Sequence, residues 1–319
     1  MLPHYSAMVL VVNSGGEKAV ADWQAQFAIT APHLRVHWLE DPAVAPEDVR
    51  YAFVWSPAPG QLAAMPNLRL ILSSGAGVDH ITADPAWPRH IGIVRMGGAE
   101  TGQRMGEYVC LGALALLRGL PRIIAGQAAR RWDSFDAPRT APETRVGIMG
   151  LGNLGVAAAA MLVGLRFAVS GWSRSPKSVP GVRCFAGPGE RDAFLAQTDI
   201  LVCLLPDTPD TRGAIRAETI AALPAGAAVI NAGRGAHAVM SDVLDALDRG
   251  HLSGAVLDVF ETEPLPTDHP AWSHPGVIVT PHLASLASRP ARARYVADAI
   301  AAFERGDAPP NLYDVARGY

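Results

Sequence analysis

Residues Arg145 to Gly155 read RVGIMGLGNLG, and this stretch decides the fold. Val146, Ile148 and Met149 form a short apolar run, the pattern of a buried strand. Gly150, Gly152 and Gly155 follow in G-x-G-x-x-G spacing, and Val156 to Val163 continues as an Ala-rich, helix-compatible stretch. In this order Gly150 permits a tight strand-to-helix turn. Gly152 lets a pyrophosphate approach the backbone, and Gly155 lets helix and strand pack closely. The helix start then offers N–H groups and a positive dipole end to phosphates, through Asn153, Leu154 and Gly155. A ligand-free tight turn is the plain alternative, but strand, glycines and helix in sequence point to a dinucleotide site.

The dinucleotide is read from the next strand, Phe167 to Gly171. An acidic residue about 20 positions after the first glycine would hold the ribose hydroxyls of NAD. Trp172-Ser-Arg-Ser-Pro-Lys177 contains no acid. Arg174 and Lys177 are cations, and Ser173 and Ser175 carry hydroxyl donors. That group suits a 2′-phosphate, so NADPH is the expected cofactor and NADH stays open as a second one; a solvated basic loop is the alternative.

The chain has 319 residues, 49% of them hydrophobic and 18% charged, enough for two domains with cores of their own. A net charge of −3 gives no basis for a nucleic-acid or anionic-membrane partner. Val9–Val12 is too short for a signal-peptide core, and Val109–Leu117 falls far short of a membrane span. Cys110, Cys184 and Cys203 show no metal or redox spacing and read as buried apolar residues in a reducing cytosol. A cytoplasmic protein with no metal site is therefore expected.

Before the glycine motif, apolar runs alternate with helical stretches. Met8–Val12, Leu34–Trp38, Tyr51–Trp55 and Leu70–Ser73 read as strands, and Ala19, Val20, Trp23 and Phe27 share a helix face. This is the pattern of a parallel sheet covered by helices, and without a glycine motif of its own it reads as a substrate domain. In Ser73-Ser-Gly-Ala-Gly-Val-Asp79, small residues such as Ala76 and Gly77 leave N–H groups that could cradle a carboxylate. The competing reading is a plain turn with Asp79 as a helix cap. Trp55, near a strand end, either limits the substrate pocket or belongs to the core. Glu100–Leu120 reads as an apolar-faced helix, and Ala128–Thr144 as a connecting arm.

After the motif, Ile200–Leu205, Ala227–Asn231, Gly254–Leu257 and Val277–Thr280 read as strands. Ser241–Arg249 reads as a helix with Ser241 as cap and Gly250 as stop. Ligands of open parallel sheets sit outside the carboxyl ends of the strands. Leu205 and Pro206 close the first of these strands, Ala232 and Asp258 lie just past two others, and all four are expected at the cofactor. Arg234, Glu263 and His282 lie past three such ends. Each alone has an ordinary structural reading: a surface charge, a turn, a structural histidine. Together they suit a reduction site. Arg234 can grip a carboxylate two-pronged, His282 can exchange a proton near neutral pH, and Glu263 can bind the other imidazole nitrogen and favour the charged ring.

Asn231-Ala-Gly-Arg-Gly235, Leu257-Asp-Val-Phe-Glu-Thr-Glu-Pro-Leu265 and Thr280-Pro-His-Leu-Ala284 resemble the signature segments of the D-isomer-specific 2-hydroxyacid dehydrogenases. With Gly75–Asp79 and Gly150–Gly155, the resemblance runs along nearly the whole chain. Trp172-Ser-Arg-Ser175 and the closing Ala316-Arg-Gly-Tyr319 are similar to the glyoxylate/hydroxypyruvate reductase A subgroup. The resemblance implies an α/β protein of two doubly wound parallel-sheet domains, a Rossmann cofactor domain inserted in a flavodoxin-like substrate domain. Residues 1–99 would bind substrate, 100–284 the cofactor, and 285–319 would return to the substrate domain, where Tyr295, Val296, Ala299, Ile300 and Phe303 supply an apolar helix face. It implies NADPH-dependent reduction of small 2-oxo acids to D-2-hydroxy acids. Arg234 would hold the substrate with Trp55, Ala76 and Gly77 nearby, His282 would serve as acid/base, Glu263 as its tuner, and Asp258 as holder of the nicotinamide amide. Glu261 does not match the catalytic glutamate. A homodimer packed through the cofactor domain is also implied. A catalytically silent NAD(P)-sensing protein and a formate dehydrogenase are the other readings; Arg234 and His282 speak against the first, the lack of long insertions against the second.

Overall fold

The computed structural model describes residues 8–136, 139–316 and 318. The chain forms two compact units. One holds the described residues up to Glu100 together with those from Ala287 onward; the other is Thr101–Leu286. Of the closing segment quoted above, Arg317 and Tyr319 lie outside the described residues.

The first unit is built on strands β1 (Met8–Val12), β2 (Leu34–Trp38), β3 (Val49–Val54), β4 (Leu70–Ser73) and β5 (Gly92–Val94). All neighbours are parallel and the order is β2-β1-β3-β4-β5, the flavodoxin-like winding. Helices α1 (Val20–Thr30) and α2 (Asp79–Thr82) connect them. On one sheet face, Trp23 and Phe27 of α1 pack with Tyr51, Phe53 and the returning helix Arg289–Glu304 through Val296 and Ile300. The runs in β1, β3 and β4 are almost wholly buried because both faces are covered, which is why they read as continuous apolar strings. Ser288 caps the returning helix, and its N–H and hydroxyl both donate to Glu100.

The second unit begins with the long helix α3 (Ala99–Leu117) and with α4 (Leu120–Ala128). Its sheet uses β6 (Arg145–Met149), β7 (Ala168–Ser173), β8 (Arg183–Ala186), β9 (Ile200–Cys203), β10 (Ala227–Asn231), β11 (Leu252–Leu257) and β12 (Val277–Val279). The order is β12-β11-β10-β9-β6-β7-β8, parallel throughout. Counted within the unit, this is the Rossmann winding with one strand added at an edge. Helices α5 (Asn153–Gly164), α6 (Arg191–Leu195), α7 (Ala217–Ala221) and α8 (Met240–Asp248) complete it. Val109, Ala113, Ile148, Ala158 and Ile230 fill one face, and Leu201, Val229, Leu257 and Phe194 the other.

Several expectations need correction. The helix over 100–120 is broken, because Gly119 sits at a φ of +65° and Pro121 opens a new helix. Trp55 lies one residue beyond β3 and is exposed, so it is not core. Ser241 does not cap α8; Val239 holds that position and Ser241 lies inside the first turn. Gly250 does follow the end of α8, at a φ of +71°. Cys184 is only half-buried, whereas Cys110 and Cys203 are buried and burial pushes their thiols up to about 11 and about 12. The edge strands β5 and β8 have no clear signal, since one is three residues long and the other has one buried residue among four. Among the described residues no single helix is long and apolar enough to cross a membrane, and no group of three His, Cys, Asp or Glu is placed to hold a metal ion.

Candidate active site

The turn from β6 to α5 gives the three glycines different reasons to be there. Gly150 has a φ of +104°, and a Cβ would stand 2.6 Å from the Leu204 carbonyl oxygen. A Cβ on Gly155 would stand 1.9 Å from the Gly150 oxygen, so helix and turn meet only without a side chain. Gly152 is different: a Cβ there would meet nothing within 4 Å. Its side faces open space at the N-cap of α5, where the first N–H groups of a helix lack partners. That open, donor-rich cradle fits a dinucleotide pyrophosphate.

At the end of β7, Arg174, Ser175 and Lys177 are exposed, with no carboxylate between Trp172 and Lys177. Ser173 is buried, and its hydroxyl donates to the Ser175 carbonyl at 2.9 Å. This corrects its reading as a phosphate donor: it shapes the turn that carries Arg174. Leu205 and Ala232 are also buried, and the Ala232 N–H donates to the Cys203 carbonyl.

Three loops past β10, β11 and β12 carry the charged trio. Glu263 Oε2 lies 2.7 Å from His282 Nδ1, and Glu263 Oε1 accepts the Phe260 N–H at 2.9 Å. Burial pushes the Glu263 carboxyl up, but the hydrogen bonds from His282 and Phe260 and the Arg234 charge more than offset it, so the group lies below its ordinary value. An ionised carboxylate only accepts, so the proton of this pair sits on Nδ1 and Nε2 is left to exchange a proton. Both side chains are about one-third exposed, and the pair therefore meets solvent or a ligand.

His282 has a φ of +52°, a left-handed conformation that costs roughly 1–2 kcal/mol for an ordinary residue. The loop around it is held firmly. Asp258 is 1% exposed; its carbonyl accepts the His282 N–H at 2.8 Å, and its carboxylate accepts from the Leu283 and Ala284 N–H groups and from Thr280 Oγ1 at 2.6 Å. Since Thr280 gives its proton to Asp258, Tyr108 of α3 donates to Thr280, at 2.7 Å. Thr280 stands in the Thr280-Pro-His282 segment, whereas nothing in the helical pattern of α3 marks Tyr108 as its partner. Asp258 thus orders the histidine loop, whatever else it binds.

Arg234 is half-buried, and one guanidinium nitrogen donates to the Gly233 carbonyl at 2.8 Å. Its backbone is held at both ends: Asn231 Nδ2 donates to its carbonyl, and its N–H donates to His237 Nδ1.

In the first unit, Ser73 Oγ donates to the Gly77 carbonyl and accepts the Gly75 N–H. The Gly75 N–H is therefore spent inside the loop, a correction to its reading as part of a carboxylate cradle. Among the described residues the N–H groups of Ala76 and Gly77 meet no acceptor within the chain. Trp55 covers the loop: its ring stacks on His80 with centroids 3.9 Å apart, and a Cβ on Gly75 would stand 2.6 Å from it. Asp79 is the first residue of α2 rather than its cap.

Comparison with known proteins follows the same lines. The family described as D-isomer specific 2-hydroxyacid dehydrogenase, NAD binding domain, matches residues 111–284. The chain is 37% identical over 303 residues to a glyoxylate/hydroxypyruvate reductase A of Serratia proteamaculans, covering 93% of this chain and 96% of the relative. A D-isomer specific 2-hydroxyacid dehydrogenase of Xanthobacter autotrophicus, solved with NADPH and MES, has a TM-score of 0.91 and 40% identity, covering 98% of this chain and 100% of that one. An NADPH-dependent glyoxylate/hydroxypyruvate reductase of Sinorhizobium meliloti, solved with NADP and sulfate, has a TM-score of 0.88 and 38% identity over 98% of this chain and 100% of that one.

Proposed function

This chain belongs to the D-isomer specific 2-hydroxyacid dehydrogenase family, and from that premise we propose that it is an NADPH-dependent reductase of small 2-oxo acids, glyoxylate and hydroxypyruvate, yielding 2-hydroxy acids of D configuration wherever reduction creates a stereocentre. The observation that carries this reading is the Glu263–His282 pair at 2.7 Å, past the same sheet edge as Arg234. The relatives solved with NADPH or NADP support the cofactor.

The open Gly152 cradle would hold the pyrophosphate through the start of α5, and Arg174 with Lys177 would face the 2′-phosphate. When bound, the reduced nicotinamide supplies the hydride. Arg234 grips the substrate carboxylate and stabilises the negative charge that grows on the carbonyl oxygen. His282, protonated on both nitrogens, gives its Nε2 proton to that oxygen. Glu263 keeps Nδ1 protonated and the ring in place through the whole cycle. Asp258 and Thr280 keep the histidine turn from collapsing when the ring loses charge. Within the first unit taken by itself, the Ala76 and Gly77 N–H groups beside the Trp55 ring suit a carboxylate. Nicotinamide absorbance followed after mixing the protein with NADPH and glyoxylate tests the reading; no consumption with either glyoxylate or hydroxypyruvate overturns it.

The second unit also leaves apolar side chains exposed on α3 and α4: Leu111, Leu114, Ile123 and Ile124, with Trp132 99% exposed just beyond. A surface of this kind suits a self-association face, and a homodimer through this unit is part of the proposal. Sedimentation of the protein and of Leu111→Asp checks it; a monomeric unaltered chain removes it. The cysteines are free thiols, which suits a cytoplasmic location.

A further inference from the structure

His237 is a fully buried imidazole that the mechanism above does not use. It is three residues from Arg234 in a short helical turn that begins at Gly235. Both ring nitrogens are engaged. Nδ1 accepts the Arg234 N–H at 3.0 Å, and Nε2 lies 3.1 Å from the Pro206 carbonyl oxygen. A nitrogen that accepts an N–H carries no proton, and a nitrogen facing a carbonyl must carry one. The ring is therefore the neutral Nε2–H tautomer.

The two atoms it joins belong to different parts of the site. Arg234 follows β10, and Pro206 follows β9. The Pro206 carbonyl also accepts the Thr211 Oγ1 proton, and the two segments are joined further out by the Gly213 N–H to the Ala236 carbonyl and the Ile215 N–H to the His237 carbonyl; the ring adds a side-chain bridge that runs to the Arg234 N–H itself. Gly233 is shaped for the same contact: a Cβ there would stand 2.7 Å from His237 Nδ1. Asn231, also fully buried, holds the other end of the Arg234 backbone. A core histidine needing only apolar packing would not need both nitrogens matched this way.

We infer that His237 is a positioning residue: its Nδ1 sets the backbone of Arg234, and so the aim of the guanidinium, while its Nε2–H ties that arginine to the Pro206 loop at the cofactor. The inference rests on the reading of Arg234 and Pro206 as substrate and cofactor contacts. It makes the His237 ring a side-chain link between the cofactor loop and the carboxylate grip.

Two substitutions separate the two bonds. His237→Asn keeps an acceptor where Nδ1 stands but does not reach Pro206. His237→Gln keeps a donor where Nε2 stands but gives the Arg234 N–H no acceptor. With one neutral hydrogen bond lost in each, His237→Gln should raise KM for glyoxylate by about tenfold and leave NADPH binding, read by fluorescence titration without substrate, within about twofold. His237→Asn should show the reverse order. Nitrogen NMR of the labelled, unaltered protein should find a protonated Nε2 and a bare Nδ1, a readout that does not depend on either variant folding. The inference is overturned by the opposite tautomer or a charged ring, by unchanged constants in both variants, or by equal losses of substrate and cofactor binding in both. Arg234→Ala is run alongside. If it raises KM and His237→Gln does not, His237 alone falls; if Arg234→Ala leaves KM unchanged, the carboxylate role of Arg234 fails and the inference falls with it.

Discussion

Glu263 and His282 are 19 residues apart in sequence, and their side chains meet at 2.7 Å between Oε2 and Nδ1. The carboxylate is kept ionised by that bond and by the Phe260 N–H, against a burial that would favour its neutral form. A carboxylate so placed holds the proton on Nδ1 and leaves Nε2 to face the substrate.

The Glu263 carboxyl lies below its ordinary value, so what this pair contributes is expected to be present at neutral pH and to be lost as pH falls and the carboxylate takes up a proton. Glu263→Gln keeps the shape and removes the charge, so turnover should fall at neutral pH and the acid limb set by Glu263 should vanish. A pH–rate profile of both proteins checks this, and an acid limb left unchanged in Glu263→Gln uncouples Glu263 from His282. His282→Ala should lose about 10²–10⁴-fold in turnover at every pH if general acid catalysis is its role.

Arg234→Lys is expected to be a severe change. Lysine keeps the charge but loses the planar fork that matches a carboxylate. Steady-state kinetics should show kcat/KM for glyoxylate falling roughly 10–100-fold, the value of a hydrogen bond to a charged group. Near-normal constants would take Arg234 out of the site.

Arg174→Ala should raise KM for NADPH by about tenfold and barely alter NADH, because only the 2′-phosphate presents a charge to it. Comparing both cofactors in both proteins decides it. Equal use of NADPH and NADH by the unaltered chain would mean that the basic loop after β7 reads no phosphate.

Asp199 tests stability rather than catalysis. Its side chain is 8% exposed and meets Arg145 and Arg139 at 2.7 and 2.8 Å. Burial pushes its carboxyl up, yet the bonds from Arg145 and Arg139 prevail and hold it at about 2. A depressed folded-state value means stability that is present above the unfolded value and lost as pH falls through about 2. Asp199→Asn should therefore cost about 2 kcal/mol at neutral pH, and the difference from the unaltered chain should shrink below about pH 3. Urea unfolding at several pH values reads it; a pH-independent difference would assign the loss to packing.

The sequence by itself determined whatever rests on neighbours along the chain. Val146 to Met149 reads as a strand, because a short apolar run that stops at Gly150 and leads into a helix is buried on both faces. Gly150, Gly152 and Gly155 had to be a turn into a helix, because each spacing has its own steric reason. The missing acid before Lys177 was visible without coordinates, as were the residues past the carboxyl ends of β10, β11 and β12. Only the tertiary structure decided what those residues touch. Tyr108 reaches Thr280 across 172 positions, and a helix-face tyrosine carries no mark of that bond. The Ser173 hydroxyl, a candidate phosphate donor by sequence, donates to the Ser175 carbonyl, and Asp258 is the acceptor that holds the histidine turn. Even His237, three residues from Arg234, has its role set by a carbonyl 31 positions away. Local pattern specifies which backbone forms where, but a hydrogen bond needs its partner within about 3 Å, and that distance exists only once the sheet has brought its strand ends together.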